Sequence, residues 1–96
     1  MAAVFVTSAA ESDFTEALCW YAQRSRNAAE GFDAEFEVAL RSIAADPFRY
    51  PSCDQRHRYY LMRRYPYQVI YRAEHDEVAV VAVAHAKREP GYWSGR

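Results

Sequence analysis

Residues 78–84, Val-Ala-Val-Val-Ala-Val-Ala, contain no polar side chain. An apolar run of this length, dominated by β-branched valine, reads as a strand buried on both faces, the central strand of a sheet. The run passes directly into His85, Lys87 and Arg88, and then through Pro90 and Gly91 to Tyr92 and Trp93. A central strand is held rigidly, so this cationic and aromatic segment is presented by a scaffold and is the first place to look for function.

The rest of the chain supplies the neighbours and the cover for that strand. Residues 3–7 are a short β-branched run, and Ser8-Ala9-Ala10-Glu11 has the spacing of a capping box that starts a helix at Ala9. Phe14, Ala17, Leu18 and Tyr21 fall at i, i+3, i+4 and i+7 and give residues 9–23 one apolar face. After the polar stretch 24–27, Asn27 and Glu30 repeat the cap logic for a second helix. Phe32, Phe36, Ala39, Leu40 and Ile43 line one side of it, and Pro47 stops it near Asp46. So short a connection predicts an antiparallel helical hairpin.

Beyond Tyr50-Pro51 the periodicity becomes alternating. Residues 58–64 read as one strand, Tyr65-Pro66 as a turn, residues 67–73 as the next strand, and residues 74–77 as a turn into the apolar run that ends at His85. Short turns favour an antiparallel meander. Within it, Val69 and Tyr71 should lie under the helices, leaving Gln68, Ile70 and Arg72 on the other face. The expected fold is α+β, in the order β-α-α-β-β-β, with the helical hairpin packed on one face of a small antiparallel sheet. Residues 1–96 form one domain, and the partner of the first strand is left open between the two sheet edges.

A chain of 96 residues can bury roughly 60–65% of its unfolded surface without metal or disulfide help. Cys19 and Cys53 sit in no metal or redox pattern and read as reduced thiols. No apolar run approaches the ~20 residues of a membrane span and the opening residues lack a basic signal region, so a cytoplasmic protein without membrane association is expected. The net charge of −1 conceals a split: up to residue 55 nine acids face four bases, and beyond it eight bases face four acids. That split can build an anion-attracting face on a neutral protein. Phosphate-cradling glycine loops, hydrolase elbows and zinc motifs are missing, and His57, His75 and His85 lack ligand spacing, so neither metal nor cofactor is expected. His85 alone is a candidate for proton transfer, against the commoner role of a strand-end side chain bonded to nearby backbone. Arg56, Arg58, Arg63, Arg64, Arg72, Lys87 and Arg88, interleaved with tyrosines, could hold phosphates and bases or an acidic protein partner.

Four segments then carry a family likeness: Ala17-Leu18-Cys19-Trp20-Tyr21; the series Phe32, Phe36, Leu40, Ile43, Pro47 and Tyr50-Pro51; Leu61-Met62-Arg63-Arg64-Tyr65-Pro66-Tyr67-Gln68-Val69-Ile70-Tyr71-Arg72; and Ala82-Val83-Ala84-His85-Ala86-Lys87-Arg88-Glu89-Pro90-Gly91-Tyr92-Trp93. In order and spacing they resemble the RelE/ParE superfamily of toxins from bacterial type II toxin–antitoxin systems, including those labelled plasmid-stabilisation proteins. The resemblance spans nearly the whole chain and implies the same β-α-α-β-β-β fold. It also implies a toxin neutralised, in a hetero-oligomer, by a cognate antitoxin whose partly disordered segment folds over it.

The superfamily divides by target. Its RelE-like branch cleaves mRNA on the ribosome with basic residues on the sheet and strand end and an aromatic or His acid/base, whereas its ParE-like branch poisons DNA gyrase. Here Arg88 occupies the matching strand-end position, but Leu61 and Gln68 stand where the cleaving branch has bases. Each loss would forgo about 2–4 kcal/mol of transition-state stabilisation. The resemblance therefore implies first a non-enzymatic, ParE-like toxin that binds DNA gyrase, with Leu61, Arg63, Ile70, Arg72, Arg88, Tyr92 and Trp93 as contact residues. The alternative is a ribosome-dependent, metal-independent mRNA endoribonuclease using His85, Lys87 and Arg88. A third is a non-toxic antitoxin-binding module.

Overall fold

The computed structural model describes residues 1–96. Along it run β1 (Ala3–Val6), α1 (Ser8–Ala22), α2 (Arg26–Ala45), β2 (Arg58–Leu61), β3 (Tyr67–Glu74) and β4 (Glu77–His85), the expected β-α-α-β-β-β order of an α+β fold. The apolar run 78–84 is buried throughout, because β4 lies inside a sheet of order β1-β4-β3-β2. β2, β3 and β4 form the antiparallel meander. β1 joins the remaining side of β4 in parallel, Ala3 opposite Glu77 and Val6 opposite Val80, so the sheet is mixed where an antiparallel one was expected. A run with no polar side chain needs a strand on each side, and the two helices provide the long crossover that a parallel pair requires.

The helices begin slightly earlier than their sequence signals. Thr7, not Ser8, caps α1, its hydroxyl accepting the Ala10 N–H at 3.2 Å. Ser25, not Asn27, caps α2 through the Ala28 N–H, also at 3.2 Å. Both have the extended backbone that a cap needs while its side chain turns back to an unbonded amide. The hairpin packs on one sheet face by aromatic contact: the Phe14 ring lies 5.5 Å from that of Phe32 and 4.5 Å from that of Phe36. Beneath them lie Val69, Tyr71, Val78, Val80 and Val83.

A bulge sets the faces of β4. Ile70 pairs with Ala82 and Tyr71 with Val80, leaving Val81 as the extra residue. The alternation therefore changes phase: Val78, Val80 and Val83 meet the helices, whereas Ala79, Val81, Ala82 and Ala84 meet the opposite side. There a second, smaller core forms with Ile70 and Trp93, the latter carried back by the segment after β4.

β2 ends at Leu61 rather than at residue 64. Glu35 of α2 takes the next amides off the ladder, accepting the N–H groups of Arg63 and Arg64. The Met62 N–H bonds Tyr67 O at 3.0 Å and closes the turn. Tyr65 then leans onto α2 and donates to Ala28 O at 2.8 Å. This contact uses a glycine, since a Cβ on Gly31 would stand 2.5 Å from the Tyr65 hydroxyl. Gly31→Ala should therefore fail to deliver the ~1 kcal/mol that alanine offers over glycine inside a helix. In a Tyr65→Phe background, with the hydroxyl gone, the same change should stabilise by about that amount in urea denaturation. An equal effect in both backgrounds would refute this close approach.

Candidate functional site

β1 stops at Val6, so only the first part of β4 has a strand beside it on that side. The edge beyond is closed by side chains. Asp13 of α1 places one carboxylate oxygen 3.1 Å from the Val83 N–H, 3.0 Å from the Tyr92 hydroxyl and 2.8 Å from the Arg96 guanidinium, all three donating to it. Arg96 also donates to Val81 O at 3.0 Å. A carboxylate and a guanidinium thus replace the C=O and N–H of a missing neighbour, which protects an otherwise open edge.

Alongside this closure a cleft of about 490 Å³ opens between α1 and the ends of β3 and β4; Asp13, Glu16, Trp20, Tyr67, His85 and Arg88 are among its lining residues. His85 is fixed in place there. Its Nδ1 accepts the Lys87 N–H at 3.0 Å, and its ring stands edge-on to Tyr67 with centroids 5.0 Å apart. With Nδ1 occupied as an acceptor, the neutral ring carries its proton on Nε2. The Arg88 guanidinium lies over the Tyr92 ring, 4.0 Å from its centre. Of the three residues that a nuclease would use, His85 and Arg88 line the cleft, while Lys87 is exposed and outside its lining. Two carboxylates, Asp13 and Glu16, share the same walls. Trp20, 51% exposed, offers an apolar flank, with Arg24 stacked on it at 3.7 Å.

A family model described as the ParE toxin of type II toxin-antitoxin system, parDE, matches residues 4–90. The chain belongs to the ParE toxin family. Among solved structures, a chain of the "Chromosomal ParDE TA system from P. aeruginosa" has the same fold, with a TM-score of 0.75 at 15% identity, covering 91% of this chain and 98% of that one. No curated protein matches the chain. The expected ParE-like branch of the superfamily is thus the one matched. No helix of this ParE-family chain is long and apolar enough to cross a membrane.

The seven residues expected to contact a target do not share one surface. Leu61, 60% exposed, and Arg63 lie at the β2 end. Arg72, beside Phe5, Glu74 and Glu77, lies near the β3–β4 turn, with its Nε buried and unpartnered. Ile70 and Trp93 belong to the second core and are covered by the chain itself, so neither is offered to a partner in this conformation. Arg88 lies on Tyr92, whose ring in turn meets Trp93, and Arg88 lines the cleft. The wider basic cluster is also dispersed. Arg58 donates to the carbonyls of Phe48 and Tyr50, and Arg64 pairs with Glu35.

His57 is buried, its Nδ1 held 2.9 Å from Asp54. The Asp54 carboxyl is held below its usual range, first by the Arg56 N–H and also by His57. Sequence reasoning missed Asp13, Glu16 and Trp20 as site residues. For Asp13 a signal existed: it lies on the inward stripe Ala10, Asp13, Ala17, where an acid is out of place unless it has buried donors to satisfy.

Two tyrosines anchor this ParE-family fold through their hydroxyls. Tyr71 donates to Pro47 O and Tyr92 to Asp13. Burial pushes both up from the ordinary 10.0 to about 12, with the Asp13 carboxylate adding to the effect on Tyr92. Their raised values favour the folded state fully below about pH 10, and that contribution is lost as pH rises towards about 12. In an alkaline titration followed by tyrosinate absorbance and circular dichroism, the last tyrosines should ionise together with loss of helix. If Tyr92→Phe and Tyr71→Phe both leave the alkaline unfolding midpoint unmoved, this linkage is wrong.

Proposed function

We propose that this chain is the toxin of a type II toxin–antitoxin pair, held inactive by a cognate antitoxin in a hetero-oligomer, and that it acts by binding DNA gyrase rather than by cutting mRNA. The observation that carries the choice of target is the charge of the cleft. Its one permanent cation, Arg88, shares the walls with the Glu16 carboxylate and with Asp13, whose charge is already paired with Arg96. Stabilising a scissile phosphate requires converging cations, and a single cation beside the Glu16 carboxylate does not supply them. On the far sheet face, Leu61 pairs with Gln68, so the row where a cleaving relative needs bases is uncharged. Exposed Leu61 and Trp20 fit protein contacts better than a phosphate cradle. The aromatic flank of the cleft also fits an antitoxin segment with apolar anchors. Stabilisation of plasmids is then one setting in which such a pair would act, with both target and antitoxin in the cytoplasm.

One observation favours the nuclease reading: His85 and Arg88 do share the cleft. Expression of the chain without an antitoxin tests the two. The gyrase reading expects DNA-damage signalling and filamentation, relieved by co-expression of the antitoxin. Arrested translation with cleaved transcripts would replace it with the nuclease, and normal growth would leave a non-toxic antitoxin-binding module.

A further inference from the structure

We infer that Asp13 is a positioning residue for Arg88, acting through the ring of Tyr92. The inference rests on the reading of Arg88 as a target-contact residue. Arg88 is exposed and sits in a short irregular segment, where its own side chain has many rotamers. What restrains it is the face of Tyr92, 4.0 Å from its guanidinium carbon. An aromatic face orients a guanidinium only if the ring itself is fixed. Tyr92 is fixed from two directions: its hydroxyl donates to Asp13 at 3.0 Å, and its ring meets Trp93 edge-on with centroids 5.4 Å apart.

Asp13 is in turn immobile. Its side chain is 10% exposed, and its Oδ2 also accepts from the Val83 amide of the central strand and from Arg96. The chain of contacts runs from the Val83 backbone through Asp13 and Tyr92 to Arg88. It transfers the rigidity of β4 to a side chain three residues beyond that strand. A hydrogen bond to a charged group is among the stronger ones available for this purpose. Arg96 assists by neutralising Asp13 and by holding Val81 O at 3.0 Å.

The test uses Tyr92→Phe and Asp13→Ala in the whole chain, read by NMR and by inhibition of gyrase supercoiling. In the parent, the Arg88 side-chain resonances should lie upfield in the ring current of Tyr92. Tyr92→Phe keeps the ring and the fold but frees it from Asp13. The upfield shift should shrink, and inhibition should weaken about tenfold, the equivalent of one hydrogen bond to a charged group. Asp13→Ala should do the same, and adding Arg88→Ala to either variant should cost little more. Unchanged Arg88 resonances in folded Tyr92→Phe, or fully additive losses with Arg88→Ala, would overturn the inference. If Asp13→Ala does not fold, Tyr92→Phe decides alone. If the parent does not inhibit gyrase, the target proposed above falls, and the Arg88 resonances still decide the role of Asp13.

Discussion

Phe36→Ala should lower the unfolding free energy by about 3–5 kcal/mol, the usual cost of truncating a buried aromatic side chain. Phe36 is 6% exposed and its ring is 4.5 Å from that of Phe14, so the contact joins the two helices directly above the sheet. Removing the ring leaves a cavity that α1 cannot close, because α1 is tied to β4 by the bond from the Val83 amide to Asp13. For a domain of this size the loss corresponds to a fall in Tm on the order of 15 °C or more. Calorimetry checks it. An unchanged Tm would mean that the hairpin is not seated through this residue.

Arg88→Ala has the opposite profile, a large effect on action with little on stability. The residue is exposed, and its partner is the face of Tyr92. Losing that contact at the surface costs about 0.5–1 kcal/mol of stability. A central arginine of a protein interface, by contrast, is commonly worth about 2 kcal/mol or more in binding, roughly thirtyfold in affinity. The variant should therefore melt near the parent temperature and still bind antitoxin, while toxicity on induction falls sharply. A variant that is insoluble or has lost antitoxin binding would assign Arg88 to structure instead.

The residues differ in how much they disclosed before the structure. The apolar run 78–84 fixed a central strand by composition alone, because no edge position could tolerate it. Period-2 alternation in β3 correctly separated Val69 and Tyr71 from Ile70, since only one face meets the helices. The fate of Ile70 was not legible. Its face is covered by Trp93, which arrives from the segment after β4, and no local pattern specifies where an irregular segment folds back. The same limit applied to β1, whose parallel partner lies more than seventy residues away in sequence. The bulge at Val81 left no sign either, because valine and alanine serve both faces of a buried strand equally well.

At the site, the strand end was readable and its surroundings were not. His85, Arg88 and Tyr92 stood out by charge and aromaticity, and the fold brings all three to one end of β4. The carboxylates that change the meaning of that cluster come from α1. Glu16 is an exposed acid with nothing local to mark it, and Asp13 bonds partners at separations of 70, 79 and 83 residues. Those distant acids place carboxylates beside the cationic strand end and make the cleft one of mixed charge.

The most direct measurement is DNA supercoiling by purified gyrase in the presence of the purified chain, with mRNA integrity on translating ribosomes followed in parallel. If the chain acts on gyrase, supercoiling should be inhibited, antitoxin should reverse the inhibition and Arg88→Ala should weaken it, with transcripts left intact. Undisturbed supercoiling together with cleaved transcripts, abolished by His85→Ala, would contradict this reading.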